Sequence, residues 1–158
     1  MSSSENDRPV VKVKFLDHWD SSFSLPQYET LLAAGADVRA CLENKADLKI
    51  GANERILVPT GLSFEIPAGF EIQVRPRSGL SLKTNLLVVN SPGTVDADYR
   101  GEIKIILGNF GKNEEVIEHG QRIAQLVLAP IVQAKFEIVE SLTDTDRGEK
   151  GFGSTGVN

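Results

Sequence analysis

Cysteine is almost missing from this chain: Cys41 is the only one in 158 residues. A lone thiol forms no intrachain disulfide, and a reducing compartment suits it. Histidine is as scarce. His18 and His119 stand far from the cysteine in sequence, so spacing offers no His/Cys zinc cluster. Ser78, His119 and an aspartate lack the G-x-S-x-G elbow that would support a triad reading. The phosphate-cradling pattern G-x-x-x-x-G-K-[ST] is also absent, because residues 108–113 have the wrong spacing. No apolar run approaches the ~20 residues a membrane-spanning helix needs. Residues 1–9 are polar and lack the apolar core of a secretory signal, so a cytoplasmic location is expected. Basic excess is missing too: 17 Lys and Arg against 22 Asp and Glu give a net charge of −5. That balance argues against duplex DNA or an anionic membrane as partner, and leaves room for a small anionic ligand.

The chain has enough residues for one compact domain, burying roughly 70% of its unfolded surface without a disulfide or structural metal. No long segment shows a helical period. Val11, Val13 and Phe15 alternate with Lys12 and Lys14, as in a half-buried strand. A second strand is expected within 34–41 and a third within 55–59. Leu62, Phe64 and Ile66, then Phe70, Ile72 and Val74, alternate about Pro67-Ala68-Gly69, so residues 61–75 read as a hairpin. A short helix fits 78–85. Further strands are expected at 86–89, 103–107, 116–117, 123–128 and 136–139. Turn signals recur about every 8–12 residues, the spacing of a β-sandwich or barrel. Residues 103–107 and 126–129 are apolar on both faces, which favours an oligomer that covers the second face. The expected organisation is a disordered lead at 1–9, a β domain at 10–140 and a polar, glycine-rich arm at 141–158.

Five segments carry more chemistry than their structural roles require. The loop 90–101 reads Asn-Ser-Pro-Gly-Thr-Val-Asp-Ala-Asp-Tyr-Arg-Gly and joins two apolar runs as a hairpin. A plain hairpin needs turn residues only. This one adds an amide, two carboxylates, a ring and a guanidinium, suggesting a pocket wall with a carboxylate aimed into it. The arm contains Arg147, Gly148, Gly151, Phe152, Gly153, Ser154, Thr155 and Gly156. Glycines allow close backbone approach, Arg147 offers a phosphate-shaped fork, and Phe152 has no core to join. A solvated tail is the plainer reading. Residues 75–81 place Arg75, Arg77 and Ser78 around Pro76 and Gly79, either as an anion nest or as surface arginines flanking a turn. Asp37 follows Gly35, where a carboxylate either stabilises its own turn or approaches Mg²⁺ directly or through water. Gln125 lies in an apolar run, where its amide meets either a ligand oxygen or neighbouring backbone.

Taken in order, segments 34–38, 76–80, 90–101, 120–125 and 147–156 resemble the five motifs of trimeric deoxyuridine triphosphatases (dUTPases) over about residues 9–156. The resemblance implies an all-β, jelly-roll-like sandwich assembled as a homotrimer, with a flexible glycine-rich C-terminal arm and active sites shared between subunits. It implies hydrolysis of dUTP to dUMP and pyrophosphate with Mg²⁺ as cofactor, limiting uracil in DNA and supplying dUMP for thymidylate synthesis. No nucleic-acid or membrane partner is implied.

By that resemblance Asp96 is the general base for water attacking the α-phosphorus. Asp37 contacts Mg²⁺ through water. Arg77, Ser78, Gly79 and Gln125 face the phosphates, and Arg147, Gly153, Ser154 and Thr155 grip the triphosphate from the arm. Phe152 covers uracil, which sits against Asn90 and the backbone near Thr94, Val95 and Lys104. Tyr99 lies under deoxyribose, and Asp98 is structural. Lys150 stands where many members carry glycine. Thr94, Pro92 and Ala36 are further small departures that remove no functional group. Two other readings remain open: a dCTP deaminase of the same fold, and a non-catalytic trimer that binds dUTP.

Overall fold

The computed structural model describes residues 8–149. Among them the chain forms ten strands: β1 (Lys12–Phe15), β2 (Ala36–Arg39), β3 (Leu48–Ile50), β4 (Arg55–Glu65), β5 (Phe70–Arg75), β6 (Leu86–Val88), β7 (Gly93–Val95), β8 (Glu102–Asn109), β9 (Glu115–Ile117) and β10 (Arg122–Pro130). One short helix, α1 (Ser78–Lys83), follows β5. Two antiparallel four-stranded sheets, in the orders β1-β4-β8-β6 and β2-β10-β5-β7, face each other, and β3 pairs with β9 in a small third sheet. This is the all-β sandwich that the alternating patterns predict. No helix among the described residues is long and apolar enough to cross a membrane.

The alternation of side chains sets the core. Val58, Leu62, Ile105 and Leu107 point inward from one sheet and meet Val38, Ile72, Val74, Ile123 and Leu126 from the other. Each such side chain, fully buried, contributes about 1.5–3 kcal/mol relative to exposure. The buried polar residues are satisfied locally. Asn109 donates from Nδ2 to the carbonyls of Ile50 and Asn113, at 3.0 and 2.7 Å, which closes the turn before β9. Helix α1 buries Leu80 and stops at Thr84, whose amide and hydroxyl both donate to the Leu80 carbonyl, at 3.0 and 2.8 Å.

Three expectations need correction. Residues 55–59 and 62–65 are one strand, β4, whose register with β8 slips between Pro59 and Ser63. Gly61, at φ 70°, accommodates the slip. A side chain there is strained, and its Cβ would lie 3.2 Å from Trp19 Cα. Segment 61–75 is not a hairpin: β4 pairs with β1 and β8, whereas β5 pairs with β10 and β7. Pro67-Ala68-Gly69 is therefore a corner between sheets, which period-two patterning alone does not distinguish from a hairpin. Residues 136–139 form no strand, and Phe136 and Ile138 are exposed. Their alternation has nothing to pair with in the single chain. His18 is half-buried and bonded to Glu102 across the fold.

The loop between β1 and β2 is tied down by a compact polar knot. The backbone N–H of Leu42 donates to His119 Nδ1 at 3.0 Å, which leaves Nε2 as the donor to Asp20 Oδ2, also at 3.0 Å. Lys45 Nζ lies 2.6 Å from the same carboxylate oxygen. Buried Cys41 donates to the His18 carbonyl and receives the Asp20 N–H. Burial raises its pKa, so the thiol stays protonated. Trp19 stacks on Phe15 at 4.8 Å and meets Phe23 edge-on at 5.7 Å. Lys45, followed by bonds from Ser22 and His119, holds the Asp20 carboxyl far below its ordinary range. A depressed folded-state pKa means stability is present above the unfolded value, about 3.9, and is lost as pH falls through the folded value. Urea midpoints of wild type and Asp20→Asn should therefore differ most at neutral pH and converge in acid. A gap that stays constant with pH would remove the carboxylate from this role.

Candidate active site

Two clusters gather the predicted residues. The first forms around the loop between β7 and β8. The chain leaves β6, turns through a cis Ser91–Pro92 bond, and enters β7, which pairs with β5 in the opposite sheet. It then returns to β8, which pairs with β6, so the expected pairing of 86–89 with 103–107 is present. Thr94, Val95, Asp96, Tyr99 and Lys104 line one cleft of ≈ 270 Å³, together with Leu57, Glu102, Ile103 and Ile106. The walls are apolar at Leu57, Val95, Ile103 and Ile106. The polar side chains are the exposed Asp96 carboxylate, the half-buried Glu102 carboxylate, the Thr94 hydroxyl, one phenol and one ammonium. Such a mixture suits a flat polar ring and a sugar.

The loop's shape comes from its own bonds. Tyr99 N–H donates to the Asp96 carbonyl at 3.2 Å. Arg100 Nη1 donates to the carbonyls of Ala97 and Tyr99, at 2.7 and 3.1 Å. Tyr99 Oη donates to the Glu102 carbonyl at 3.1 Å, laying the ring over Gly101. A Cβ at Gly101 would collide with that phenol oxygen, so the ring position requires glycine. Asn90 lies at the other end of β7, outside the cleft lining. Its side chain folds over Gly93, where an added Cβ would sit 2.9 Å from Asn90 Nδ2.

The second cluster sits where β2, β10 and β5 run side by side. Asp37, Gln125 and Arg75 share one register row across the three strands. Asp37 Oδ1 accepts from Arg77 Nε at 2.7 Å, and Oδ2 accepts from Arg122 Nη1 at 3.2 Å. Glu29 holds the same Arg122 nitrogen from outside at 2.9 Å. Arg77 Nη1 reaches the Arg122 carbonyl, and no described protein acceptor meets Nη2. Gln125 Nε2 donates to the Pro76 carbonyl at 2.8 Å, so its amide fixes the strand end that carries Arg77. Gly35 makes room for it, because a Cβ there would collide with Gln125 Oε1. Ser78 and Gly79 begin α1 and are exposed.

Both Asp37 oxygens are thus occupied by guanidinium donors. That suits contact with a hydrated hard cation through water better than direct ligation. The turn reading of Asp37 and the surface reading of Arg77 both give way to this ion pair. Arg147 lies in an exposed turn closed by the Gly148 N–H on the Thr145 carbonyl, at 3.0 Å. Phe152, Gly153, Ser154 and Thr155 lie outside the described residues. Sequence reasoning missed Glu102, which lines the first cleft, and did not single out Arg122, which holds Asp37. An acidic residue opening an otherwise apolar strand was the available signal for Glu102.

Known proteins resemble this chain in sequence and in fold. A family model for dUTPase matches residues 21–156. The deoxyuridine 5'-triphosphate nucleotidohydrolase of Bdellovibrio bacteriovorus is 56% identical over 147 residues, 93% of this chain and 96% of that protein. A dUTPase of Staphylococcus bacteriophage 80alpha, solved with dUPNHPP, is 28% identical with a TM-score of 0.81, over 94% of this chain and 99% of that one. A mutant dUTPase from phage phi11 of S. aureus, described with a structural Mg(II) ion, shares the fold at a TM-score of 0.73 and 22% identity, over 85% of this chain and 99% of its own.

The Asp37 pairs differ in geometry, and their energies should differ accordingly. Charge-assisted hydrogen bonds between partly buried groups contribute about 1.5–3 kcal/mol. Double-mutant cycles by urea denaturation, using Asp37→Asn with Arg77→Gln or Arg122→Gln, should give the larger coupling for Arg77. Its bond is shorter, and Arg122 keeps Glu29 as a second partner. Equal couplings would mean that Asp37 is held by the field of both arginines rather than by the Arg77 bond.

Proposed function

The chain belongs to the dUTPase family, and from that membership we propose that it hydrolyses dUTP to dUMP and pyrophosphate at sites shared between three copies of the chain. The observation that carries the reading is the cleft at the β7–β8 loop, where an exposed Asp96 carboxylate shares a narrow, largely apolar wall with Tyr99 and the backbone of Thr94 and Val95. Uracil enters this cleft, and its edge is read by backbone donors and acceptors. A base with the opposite donor pattern leaves those groups unpaired, a costly mismatch. The Tyr99 ring lies under deoxyribose and crowds a 2′-hydroxyl.

Asp96 orients a water molecule and takes its proton as the oxygen attacks the α-phosphorus. The bond from the α-phosphorus to the bridging oxygen breaks, and pyrophosphate leaves. Arg77 offers its remaining donor edge to the phosphates, assisted by Ser78 and the open backbone at Gly79. Gln125 acts on the phosphates and holds the Arg77 segment in place. Asp37 would hold Mg²⁺ through water, in keeping with its two occupied oxygens, and the bound cation would supply charge neutralisation for the triphosphate and the leaving group. Arg147, Phe152, Gly153, Ser154 and Thr155 belong to an arm, 141–158, that closes over the triphosphate and uracil and opens for product release.

Sharing between chains is supported by two features. The hairpin cleft and the Asp37 cluster have no lining residue in common within one chain. Val132, Phe136, Ile138 and Leu142 are 85–102% exposed along the segment after β10, an apolar surface that an isolated soluble chain rarely presents.

Pyrophosphate release from dUTP, dCTP, dTTP and UTP, measured in parallel with Mg²⁺, tests the reading. Release from dUTP alone is expected. Ammonia from dCTP, or dUTP binding without turnover, would move the chain to a deaminase or a binding module. Asp96→Asn should keep dUTP affinity and lose about 10²–10⁴-fold in turnover, the contribution of a positioned base. Loss of folding in that variant would make Asp96 structural. Deleting residues 147–158 should leave a folded assembly with sharply reduced turnover, and normal turnover after the deletion would remove the lid.

A further inference from the structure

We propose that Glu102, held by His18, is a positioning residue for the hairpin cleft, and that through it the β1–β2 loop controls how strictly deoxyribose is distinguished from ribose. The inference rests on the proposed action on dUTP. Glu102 opens β8 immediately after the hairpin, and its side chain is only 12% exposed. Its Oε1 accepts two bonds, from the Gly61 N–H and from His18 Nε2, both at 2.9 Å. Its Oε2 faces Lys104 Nζ at 3.4 Å. Its own carbonyl receives the Tyr99 phenol at 3.1 Å. One residue thus links the β4 bulge, the β1–β2 loop, a cleft cation and the ring that packs against the sugar.

The Gly61 bond explains why a carboxylate is needed at this point. The slip between Pro59 and Ser63 takes the Gly61 N–H off the β8 ladder. An orphaned backbone donor in the interior is destabilising. Glu102 supplies the missing acceptor from the strand that the ladder would have used. Satisfying that donor fixes the backbone of Glu102, and the backbone of Glu102 fixes Tyr99. His18 locks the carboxylate rotamer from the other side, at 25% side-chain exposure. His18 is itself anchored, because its carbonyl accepts from buried Cys41 at 3.1 Å. No described hydrogen bond joins Glu102, His18 or Gly61 to the Asp96 carboxylate, so the pair acts on where the substrate lies and not on the proton transfer.

Full-length wild type, Glu102→Ala, Glu102→Gln and His18→Gln would be compared by kcat and KM for dUTP and UTP, with thermal midpoints. Glu102→Ala should raise KM for dUTP by about 10–100-fold, the scale of a small misplacement, and narrow the preference for dUTP over UTP. His18→Gln leaves the Gly61 bond intact and should move both quantities the same way by less. Glu102→Gln keeps an acceptor oxygen and should recover most of the preference. A lowered midpoint with unchanged KM and unchanged dUTP-to-UTP ratio in Glu102→Ala would overturn the proposal, since a merely structural residue behaves that way. Should Glu102→Ala fail to fold, an unchanged ratio in His18→Gln overturns it instead. Inactive wild type on dUTP would show that the underlying reading has failed, before any variant is considered.

Discussion

Side-chain hydrogen bonds, and not ladder bonds, hold β4 to β8 where their register slips. Thr60 Oγ1 donates to the Ile103 carbonyl at 2.6 Å, Ser63 Oγ donates to the Arg100 carbonyl at 2.6 Å, and Gly61 donates to Glu102. A slipped register inside a sandwich strands backbone groups away from water, and each one needs a partner. Here the partners come from the strand's own small polar residues. Thr60 and Ser63 are buried, and no described buried side-chain polar atom lacks a hydrogen bond. The consequence is geometric. Arg100, Glu102 and Ile103 are pinned at the exit of the β7–β8 loop by bonds that originate on β4. The hairpin is exposed, yet its base is as fixed as the core.

The second cluster obeys a different logic. Asp37 is placed by register, with its N–H on the Gln27 carbonyl at 3.0 Å and Gln125 beside it on β10. A register shift between Arg122 and Ala124 brings Arg122 to Asp37. Arg77 and Arg122 are held by Asp37 and Glu29, two guanidiniums against two carboxylates, so their charges balance and their geometry is set in advance. An anion meeting the remaining Arg77 donor edge would find it already oriented, which is the preorganisation that electrostatic stabilisation requires. Side-chain ion pairs tie the Asp37 cluster together, while the β7–β8 loop is closed on itself by Arg100 and Tyr99.

The sequence was most legible where local pattern and structure share a period. The strands at 12–15, 103–107 and 123–128 and the helix after Arg77 follow from alternation and breakers. The membership of strands in sheets did not follow. Leu62, Phe64 and Ile66 alternate in the same way whether their partner is β5 or β1, because patterning fixes which face is buried and not which edge is paired. The hairpin at 61–75 was therefore misread. The slip at Gly61 was hidden for the same reason, and with it the need for Glu102. Asp37 and Arg77 were legible as chemistry-bearing residues but not as a pair, since 40 residues separate them and only the sheet order joins them. The resemblance supplied the roles. The structure adds the bonds that keep those residues in place.

The segment after β10 shows how a correct pattern yields no element in one chain. Pro130 ends the strand, and the Ile131 N–H on the Gly69 carbonyl, at 2.9 Å, is its last backbone anchor among the β-sheets. Beyond it Phe136 and Ile138 flank Glu137 in strand alternation, yet stand 94% and 102% exposed. An unpaired strand with an apolar face is an association site by its nature, because its backbone and side chains are both unsatisfied. In the proposed trimer that requirement is met by another chain. The separation of the hairpin cleft from the Asp37 cluster and the exposed alternation at 136–139 would then share one cause, a site assembled between copies of the chain.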